Sequence, residues 1–148
     1  MIGRVDIEGV RDIQKALRSV DKDLPKRLKD AGNAAAQIIV DDTRARARTP
    51  AERRVARSVK VSSQQRSVAV SVGGRGFPEA GGVIFGAAQD RLRVRRSGRY
   101  VGYRQFRPWL GAGRSAGYLL FPSIRARQDD VVKVYLDQVD RLVAGSGL

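Results

Sequence analysis

The apolar residues of this 148-residue chain change their spacing along the sequence, and that change constrains the fold. Near both ends they recur every three or four positions, which is the period of an amphipathic helix. In the middle, the runs at 58–62 and 68–72 alternate apolar and polar side chains, as half-buried strands do. The pattern predicts an α+β domain, with an antiparallel β-sheet packed against N-terminal helices and a C-terminal helix.

Two helices are predicted in the N-terminal part of the chain, after a short extended segment at 5–9. The first has apolar residues at Val10, Ile13, Leu17 and Val20. The second places Pro25 in its first turn, where the missing N–H is not needed. Its apolar stripe is Leu28, Ala31, Ala35 and Ile38 or Ile39. We expect it to run to about Arg46, before the break at Thr49–Pro50.

The central part of the chain predicts a basic linker at 51–57, with room for one helical turn, and then a β-hairpin. The two alternating runs form the hairpin, and polar residues at 63–67 join them. A third strand is predicted at Val83–Gly86, because three consecutive large apolar residues precede a glycine.

The C-terminal part predicts a last strand at Tyr118–Ile124 that leads into a helix. The helix is expected from Asp129, with Asp129 and Asp130 in the first turn, where negative charge suits the helix dipole. Its apolar stripe is Val132, Tyr135 or Leu136, Val139, and Leu142 or Val143.

We expect one domain over 1–148, since no part is large enough to form a core alone. Its parts are the N-terminal strand and helices at 1–48, the hairpin and third strand at 57–87, an arginine-rich insertion at 88–117, and the last strand and C-terminal helix at 118–143.

The sequence contains neither cysteine nor histidine, and this excludes many catalytic designs. Disulfides, thiol nucleophiles, Ser–His triads and ordinary zinc sites all need one of these residues. The glycine cluster at 73–76 lacks the Gly-Lys-Ser/Thr ending of a phosphate loop and precedes no predicted helix. We therefore expect a non-enzyme with no catalytic residues, no metal and no cofactor.

Acidic residues are scarce around the basic centre, which argues against a nuclease. A nuclease needs clustered carboxylates to hold Mg²⁺, whereas residues 43–127 contain three acidic residues. Glu52 and Glu79 are expected to pair with nearby arginines. No apolar run has the length of a membrane span, and no signal-peptide core is present at the N-terminus, so we expect a soluble protein made in the cytoplasm.

The net charge of +14 is concentrated in the middle of the chain. Residues 1–42 contain eight basic and eight acidic residues, residues 43–127 contain nineteen and three, and residues 128–148 contain two and four. This distribution predicts one surface for an anionic partner, either nucleic acid or an acidic protein face. A solvated basic surface without a partner is the alternative.

Residues 88–107, which we call the Arg-rich segment, carry seven arginines against one aspartate. Alternation at 91–95 and a turn at Ser97–Gly98 predict an inserted basic β-hairpin or a long loop. Arginine beside tyrosine is typical both of nucleic-acid binding and of protein interfaces. The candidate contacts to DNA or a partner are Arg91, Arg93, Arg95, Arg96, Arg99, Tyr100, Tyr103, Arg104 and Arg107.

Large aromatic residues flank the Arg-rich segment and predict a subunit interface, because aromatic anchors dominate many interfaces. The candidates are Phe85, Phe106, Trp109, Tyr118 and Phe121. For Trp109 we favour an interface over a place in the core, because it lies beside glycines.

The order of short motifs resembles the neck and tail-component (head-to-tail joining, tail-completion) family of long-tailed bacteriophages. The motifs are Val5-Asp6-Ile7-Glu8-Gly9 before the helices, Thr49-Pro50 at a helix end, Val55-Ala56-Arg57-Ser58-Val59 at the first strand, Val70-Ser71-Val72-Gly73, Ile84-Phe85-Gly86 for the family's Glu-Phe-Gly signature, and Tyr118-Leu119-Leu120-Phe121-Pro122-Ser123-Ile124 before the last helix. Compared with the family pattern, residues 88–117 are longer and more basic.

The resemblance implies a structural protein at the phage head–tail junction, assembled in the host cytoplasm. Members of the family act as rings, commonly hexamers. The implied partners are other copies of the chain, head-closure or adaptor proteins, tail-tube or tail-terminator proteins, and the double-stranded genome in the lumen. A tail terminator ring is an alternative within this class. A non-specific nucleic-acid-binding protein is the alternative from another class.

Overall fold

The computed structural model describes residues 2–3, 23–64, 67–88, 93–94, 100–101, 105–111 and 115–145. Its elements in chain order are β1 (Ile2–Gly3), α1 (Leu24–Arg46), α2 (Pro50–Arg57), β2 (Lys60–Gln64), β3 (Ser67–Ser71), α3 (Ala80–Phe85), β4 (Arg93–Val94), β5 (Tyr100–Val101) and α4 (Leu120–Gly145). Helices and antiparallel strands occur together, which confirms the predicted α+β class. The extended segment predicted at 5–9 and the helix predicted over 10–20 lie outside the described residues.

Helix α1 is the second helix that the sequence predicted, and its bounds are close to those expected. Pro25 lies at the start of the helix, where a missing N–H leaves no hydrogen bond unmade. Leu28, Ala35 and Ile39 are buried on one face, as the apolar stripe required. The hydroxyl of Thr43 is also buried, and it donates to the carbonyl oxygen of Ile39 one turn earlier.

The predicted hairpin is confirmed, with its first strand displaced toward the C-terminus. Strands β2 and β3 pair from Lys60 opposite Ser71 to Gln64 opposite Ser67, and β1 pairs with the other edge of β3. Residue 58 was expected to open the first strand. It instead closes α2, because its backbone N–H donates to the carbonyl oxygen of Val55. The sheet of described strands has the order β1-β3-β2 and is antiparallel throughout.

The linker predicted at 51–57 is wrong, because α2 is a helix of eight residues. Thr49 accepts a hydrogen bond from the backbone N–H of Glu52, and the Glu52 side chain accepts one from the N–H of Thr49. This reciprocal pair is a capping box, and Pro50 occupies the position that proline favours in a first turn. The pattern Thr-Pro-Ala-Glu therefore starts a helix as well as ending one.

The third strand predicted at Val83–Gly86 is also wrong. This stretch belongs to the short helix α3, in which Ala80 and Ile84 lie one turn apart and are both buried. A run of three apolar residues is too short to distinguish a strand from a helix by its period.

Helix α4 begins nine residues earlier than expected, at Leu120, so the predicted last strand at Tyr118–Ile124 is wrong. Pro122 lies in the first turn, where its missing N–H and fixed φ are tolerated. Ser123 is buried and its hydroxyl donates to the carbonyl oxygen of Leu119. Asp129 and Asp130 are therefore well inside the helix rather than at its start.

The inward face of α4 differs in part from the predicted stripe. Val131 and Tyr135 are buried, whereas Val132 and Leu136 remain 42% and 51% exposed. One residue along a helix is a rotation of about 100°, so the core contacts one side of the apolar run and leaves the other side in solvent. Leu136 and Val132 are one turn apart on what we call the α4 outer face.

Helices α1 and α4 pack against each other in antiparallel directions. The Asp42 carboxylate is 3.0 Å from the Arg127 guanidinium near one end, and Gly32 faces Tyr135 farther along. A Cβ at Gly32 would also meet Val68 of β3, so this glycine allows the sheet to approach closely. One core cluster contains buried residues of α1, α2, β3, α3 and α4.

Candidate functional site: the base of the Arg-rich segment and the α2 surface

Within the Arg-rich segment the structure describes an antiparallel pairing, which agrees with the β-hairpin rather than the long loop of the two predicted forms. Arg93 lies opposite Val101 and Val94 lies opposite Tyr100. The expected turn at Ser97–Gly98 lies outside the described residues. The same is true of the candidate contacts Arg91, Arg95, Arg96, Arg99, Tyr103 and Arg104.

The two ends of the Arg-rich segment meet. The backbone N–H of Ala87 donates to the carbonyl oxygen of Arg107 over 2.9 Å, and Ala87 forms a parallel bridge with Pro108. The N–H of Leu110 donates to the carbonyl oxygen of Phe85 over 2.7 Å. The chain therefore leaves the α3 end and returns to it at a hydrogen-bonded base.

Gly86 makes this close approach possible. It caps the C-terminus of α3 with a φ of 77°, a region that side chains with a Cβ rarely adopt. A Cβ at this position would also collide with the carbonyl oxygens of Arg107 and Pro108. Both the conformation and the space require glycine at the base.

The five predicted interface aromatics all lie at or beside this base. The rings of Phe85 and Phe121 have centroids 5.3 Å apart. Phe106 packs over Gly82 of α3, and the Tyr118 hydroxyl donates to the carbonyl oxygen of Pro108 over 2.8 Å. We call Phe85, Phe106, Tyr118 and Phe121 the aromatic cluster.

Trp109 differs from the aromatic cluster because it is 52% exposed. Its ring lies over the backbone of Gly111, where no side chain intervenes. Leu110 beside it is also exposed. Trp109 and Leu110 are therefore the exposed large apolar side chains among the described residues of the base.

Arg107 joins the base to α2. Its guanidinium is 3.1 Å from the Glu52 carboxylate and 5.1 Å from the centre of the Tyr118 ring. These are an ion pair and a cation–π contact on one side chain. The expected pairing of Glu52 with an arginine is confirmed.

The two carboxylate oxygens of Glu52 contact different groups. Oε2 accepts hydrogen bonds from the N–H groups of Arg48 and Thr49, and Oε1 faces Arg107. Burial by itself raises the pKa of the Glu52 carboxyl, but the two backbone hydrogen bonds and the Arg107 charge outweigh it and lower the pKa below its ordinary value. Glu52 is therefore a charged group that stabilises both α2 and the base.

The exposed side of α2 forms a basic surface. Arg53 and Arg57 are one turn apart on the helix, and Arg54 lies between them in sequence. The Arg53 guanidinium donates to the carbonyl oxygen of Arg48, and that of Arg54 donates to the carbonyl oxygen of Gly76. We call this exposed set the α2 surface; its members are Arg48, Arg53, Arg54, Arg57 and Arg75.

Only one member of the α2 surface has an acidic partner among the described residues. Arg54 is 2.9 Å from the carboxylate of Glu79, which confirms the expected pairing of Glu79 with an arginine. Arg48, Arg53, Arg57 and Arg75 form no ion pair within the described ranges. Four of the five guanidinium groups therefore have no carboxylate partner among the described residues.

Sequence reasoning missed the α2 surface because it took 51–57 as a linker. The signal was present, since a capping-box pattern at Thr49–Glu52 is followed by arginines at helical spacing. Within the part of the chain that the structure describes, no cluster of three acidic side chains could hold a metal ion. No helix there is long and apolar enough to cross a membrane.

Comparisons with protein-family models, with curated proteins and with solved structures each found no match to this chain. The resemblance to the phage neck and tail-component family therefore rests on the sequence motifs.

Proposed function

We propose that this chain is a structural subunit of the head-to-tail interface of a long-tailed bacteriophage. In this role it forms a neck or tail-completion ring that joins the head-closure side to the tail tube and lets DNA pass through its lumen. The motif order from residue 5 to residue 124 supports the proposal, and so does a sequence without histidine or cysteine.

The observation that carries the proposal is the fixed base of the Arg-rich segment. A basic segment whose two ends are hydrogen-bonded to each other, next to the aromatic cluster, is suited to present charge to a partner. The last motif of the resemblance, at Tyr118–Ile124, contributes two aromatic residues to this cluster. Residues of two of the motifs, at 84–86 and at 118–124, thus lie at or beside the base.

The Arg-rich segment has two possible partners in a ring. It could face the genome, where arginines would contact phosphates without reading sequence. It could instead dock on an acidic neighbouring subunit, where charge sets the orientation and the association rate. We favour docking, because a lumen that holds DNA strongly would hinder ejection. Finding the segment in contact with neither DNA nor a subunit would contradict both forms.

A tail terminator ring, which caps the tail tube, is the alternative within the same class. A non-specific nucleic-acid-binding protein is the alternative from another class, and the net charge of +14 favours it. No enzymatic activity is part of either alternative.

The mass of the purified protein in solution, with and without duplex DNA at low and moderate salt, tests the proposal. We expect a complex of several 16.2-kDa subunits, with six as the expected number, whether or not DNA is present. A monomer or dimer that coats DNA at moderate salt would contradict the ring and support the nucleic-acid-binding alternative.

A further inference from the structure

The α2 surface is a second basic area, separate in sequence from the Arg-rich segment. Its arginines come from the link between α1 and α2, from α2 itself and from the turn after β3. Arg53 contacts the carbonyl of Arg48, and Arg54 contacts the carbonyl of Gly76 beside Arg75. Three separate stretches of backbone therefore meet at α2, and each of them carries at least one exposed arginine.

Holding like charges together in solvent costs free energy unless an anion neutralises them. Among the described residues, the nearby carboxylates are those of Glu52 and Glu79, and neither neutralises all the arginines of the α2 surface. Glu79 pairs with Arg54, and Glu52 is buried and already engaged with Arg107 and with the start of α2. Within the part of the chain that the structure describes, no ion pair neutralises Arg48, Arg53, Arg57 or Arg75.

The chemistry of the α2 surface fits a polyanion backbone better than a protein face. Protein interfaces are anchored by aromatic and large apolar side chains. The exposed large apolar residues of the described ranges are Trp109, Leu110, Val132, Leu136 and Val143, and none of them is on α2 or on the turn after β3. A phosphate backbone needs guanidinium groups and no apolar anchor.

From these observations we infer that the α2 surface binds the phosphate backbone of duplex DNA without sequence preference. Exposed guanidinium groups from neighbouring stretches of chain bind successive phosphates and displace their counterions. Arg53, Arg57 and Arg75 are the central contacts. This assignment is distinct from the docking role proposed for the Arg-rich segment and does not require ring assembly.

Fluorescence anisotropy with a labelled random-sequence duplex tests the inference on the full chain over a range of salt concentrations. The test variant is Arg53→Gln/Arg57→Gln/Arg75→Gln. The matched control is Arg27→Gln/Lys133→Gln/Arg141→Gln, which removes the same charge from exposed positions on α1 and α4. Circular dichroism checks that both variants keep the helical content of the parent chain.

We expect the test variant to bind at least about ten-fold more weakly than the control at roughly 100 mM salt. We also expect the slope of log affinity against log salt to become shallower by about 2 to 3, since each lost phosphate contact contributes about 0.9. The control slope should stay within about one of the parent value. Equal losses in the two variants would show that net charge alone matters and would overturn the inference.

Two further results would also overturn it. The first is full loss of binding when Arg91, Arg93, Arg95, Arg96 and Arg99 are changed to Gln, together with no loss in the α2 variant. The second is an α2 variant that loses affinity for poly-glutamate but keeps its affinity for DNA, which would make the partner an acidic protein. Because anisotropy reads DNA binding and solution mass reads ring assembly, failure of this inference is distinguishable from failure of the proposed function.

Discussion

Helices α2 and α4 both leave one face in solvent, but the two exposed faces differ in chemistry. The α2 surface consists of arginines, whereas the α4 outer face exposes Val132 and Leu136. The affinity of any partner for the α2 surface should fall as the salt concentration rises, because the attraction is electrostatic. A contact on the α4 outer face would be driven by apolar burial and would depend little on salt. Among the described residues, the α2 surface is therefore wholly basic, whereas α4 exposes large apolar side chains among charged ones of both signs.

The largest effect on the free energy of unfolding is expected from a substitution on the buried face of α4, and a substitution on the α4 outer face is its direct comparison. Tyr135→Ala should lower the free energy of unfolding by about 3 to 4 kcal/mol, because a buried aromatic ring is removed from the core. Leu136→Ala should change it by less than about 1 kcal/mol, because half of that side chain is already in solvent. Urea denaturation of the two variants measures both values, and equal losses would refute the assigned rotation of α4.

Gly86→Ala should have the next largest effect on the free energy of unfolding. It should destabilise the base of the Arg-rich segment, which Arg107 joins to α2. A left-handed φ costs a residue with a Cβ about 1 to 2 kcal/mol, and the collision with the carbonyl oxygens of Arg107 and Pro108 adds to that. We expect a total loss of about 2 to 4 kcal/mol. Hydrogen exchange should accelerate at Ala87 and Leu110 more than along α4.

Gly81→Ala is the control for that variant, because a Cβ there meets no atom within 4 Å and its φ is ordinary. It should leave the stability of the base unchanged or raise it slightly, since alanine favours a helix. A loss at Gly81 as large as at Gly86 would show that the close approach is not the cause.

Glu52→Ala should cost about 1 to 3 kcal/mol. It removes half of the capping box and leaves the N–H groups of Arg48 and Thr49 without their acceptor. The effect should appear as fraying of α2 and as weaker DNA binding by the α2 surface, with the α4 outer face unchanged. Thermal unfolding combined with the anisotropy measurement checks this. Unchanged stability would mean that water replaces the carboxylate at no cost.

The smallest effect is expected from pH. The pKa values of Glu52 and Asp42 are both lowered in the folded state, so the unfolded chain binds protons first as the pH falls. The stability that these carboxylates contribute is complete at about one pH unit or more above their unfolded pKa values, where they are ionised in the unfolded state too, and it is lost as the pH falls through their folded pKa values. Acid titration of the unfolding free energy should show this loss, and Glu52→Ala should reduce its size.

The sequence allowed the fold class, α1 and the hairpin to be predicted, because each follows from a local pattern several residues long. The start of α4 was not predicted by the same reasoning, since a run of large apolar residues favours a strand locally and Pro122 was not recognised as a residue of a first helical turn. The core decided the outcome there by burying Leu120 and Ser123 on one helical face. Tertiary packing outweighed local preference at that point.

The candidate site was predictable in its residue types but not in its contacts. The aromatic residues around the Arg-rich segment were identified from sequence, and they lie at or beside its base. The pairing of Arg107 with Glu52 joins positions far apart in sequence, so no local pattern indicates it. The α2 surface was missed because a proline at residue 50 was interpreted as a helix end alone.

The closed base has a consequence for how the length of this chain can vary. Ala87 and Arg107 are held together by a backbone hydrogen bond, Gly86 permits the approach, and Glu52 anchors Arg107 to α2. The contacts of Ala87 and Arg107 with the rest of the protein therefore do not depend on how many residues separate them. Each doubling of such a loop costs only about 0.6 kcal/mol in closure entropy. Insertions and deletions between residues 88 and 105 should be tolerated by the fold, so this interval can diverge in length to suit different partners while residues 52, 86, 106 and 107 stay fixed.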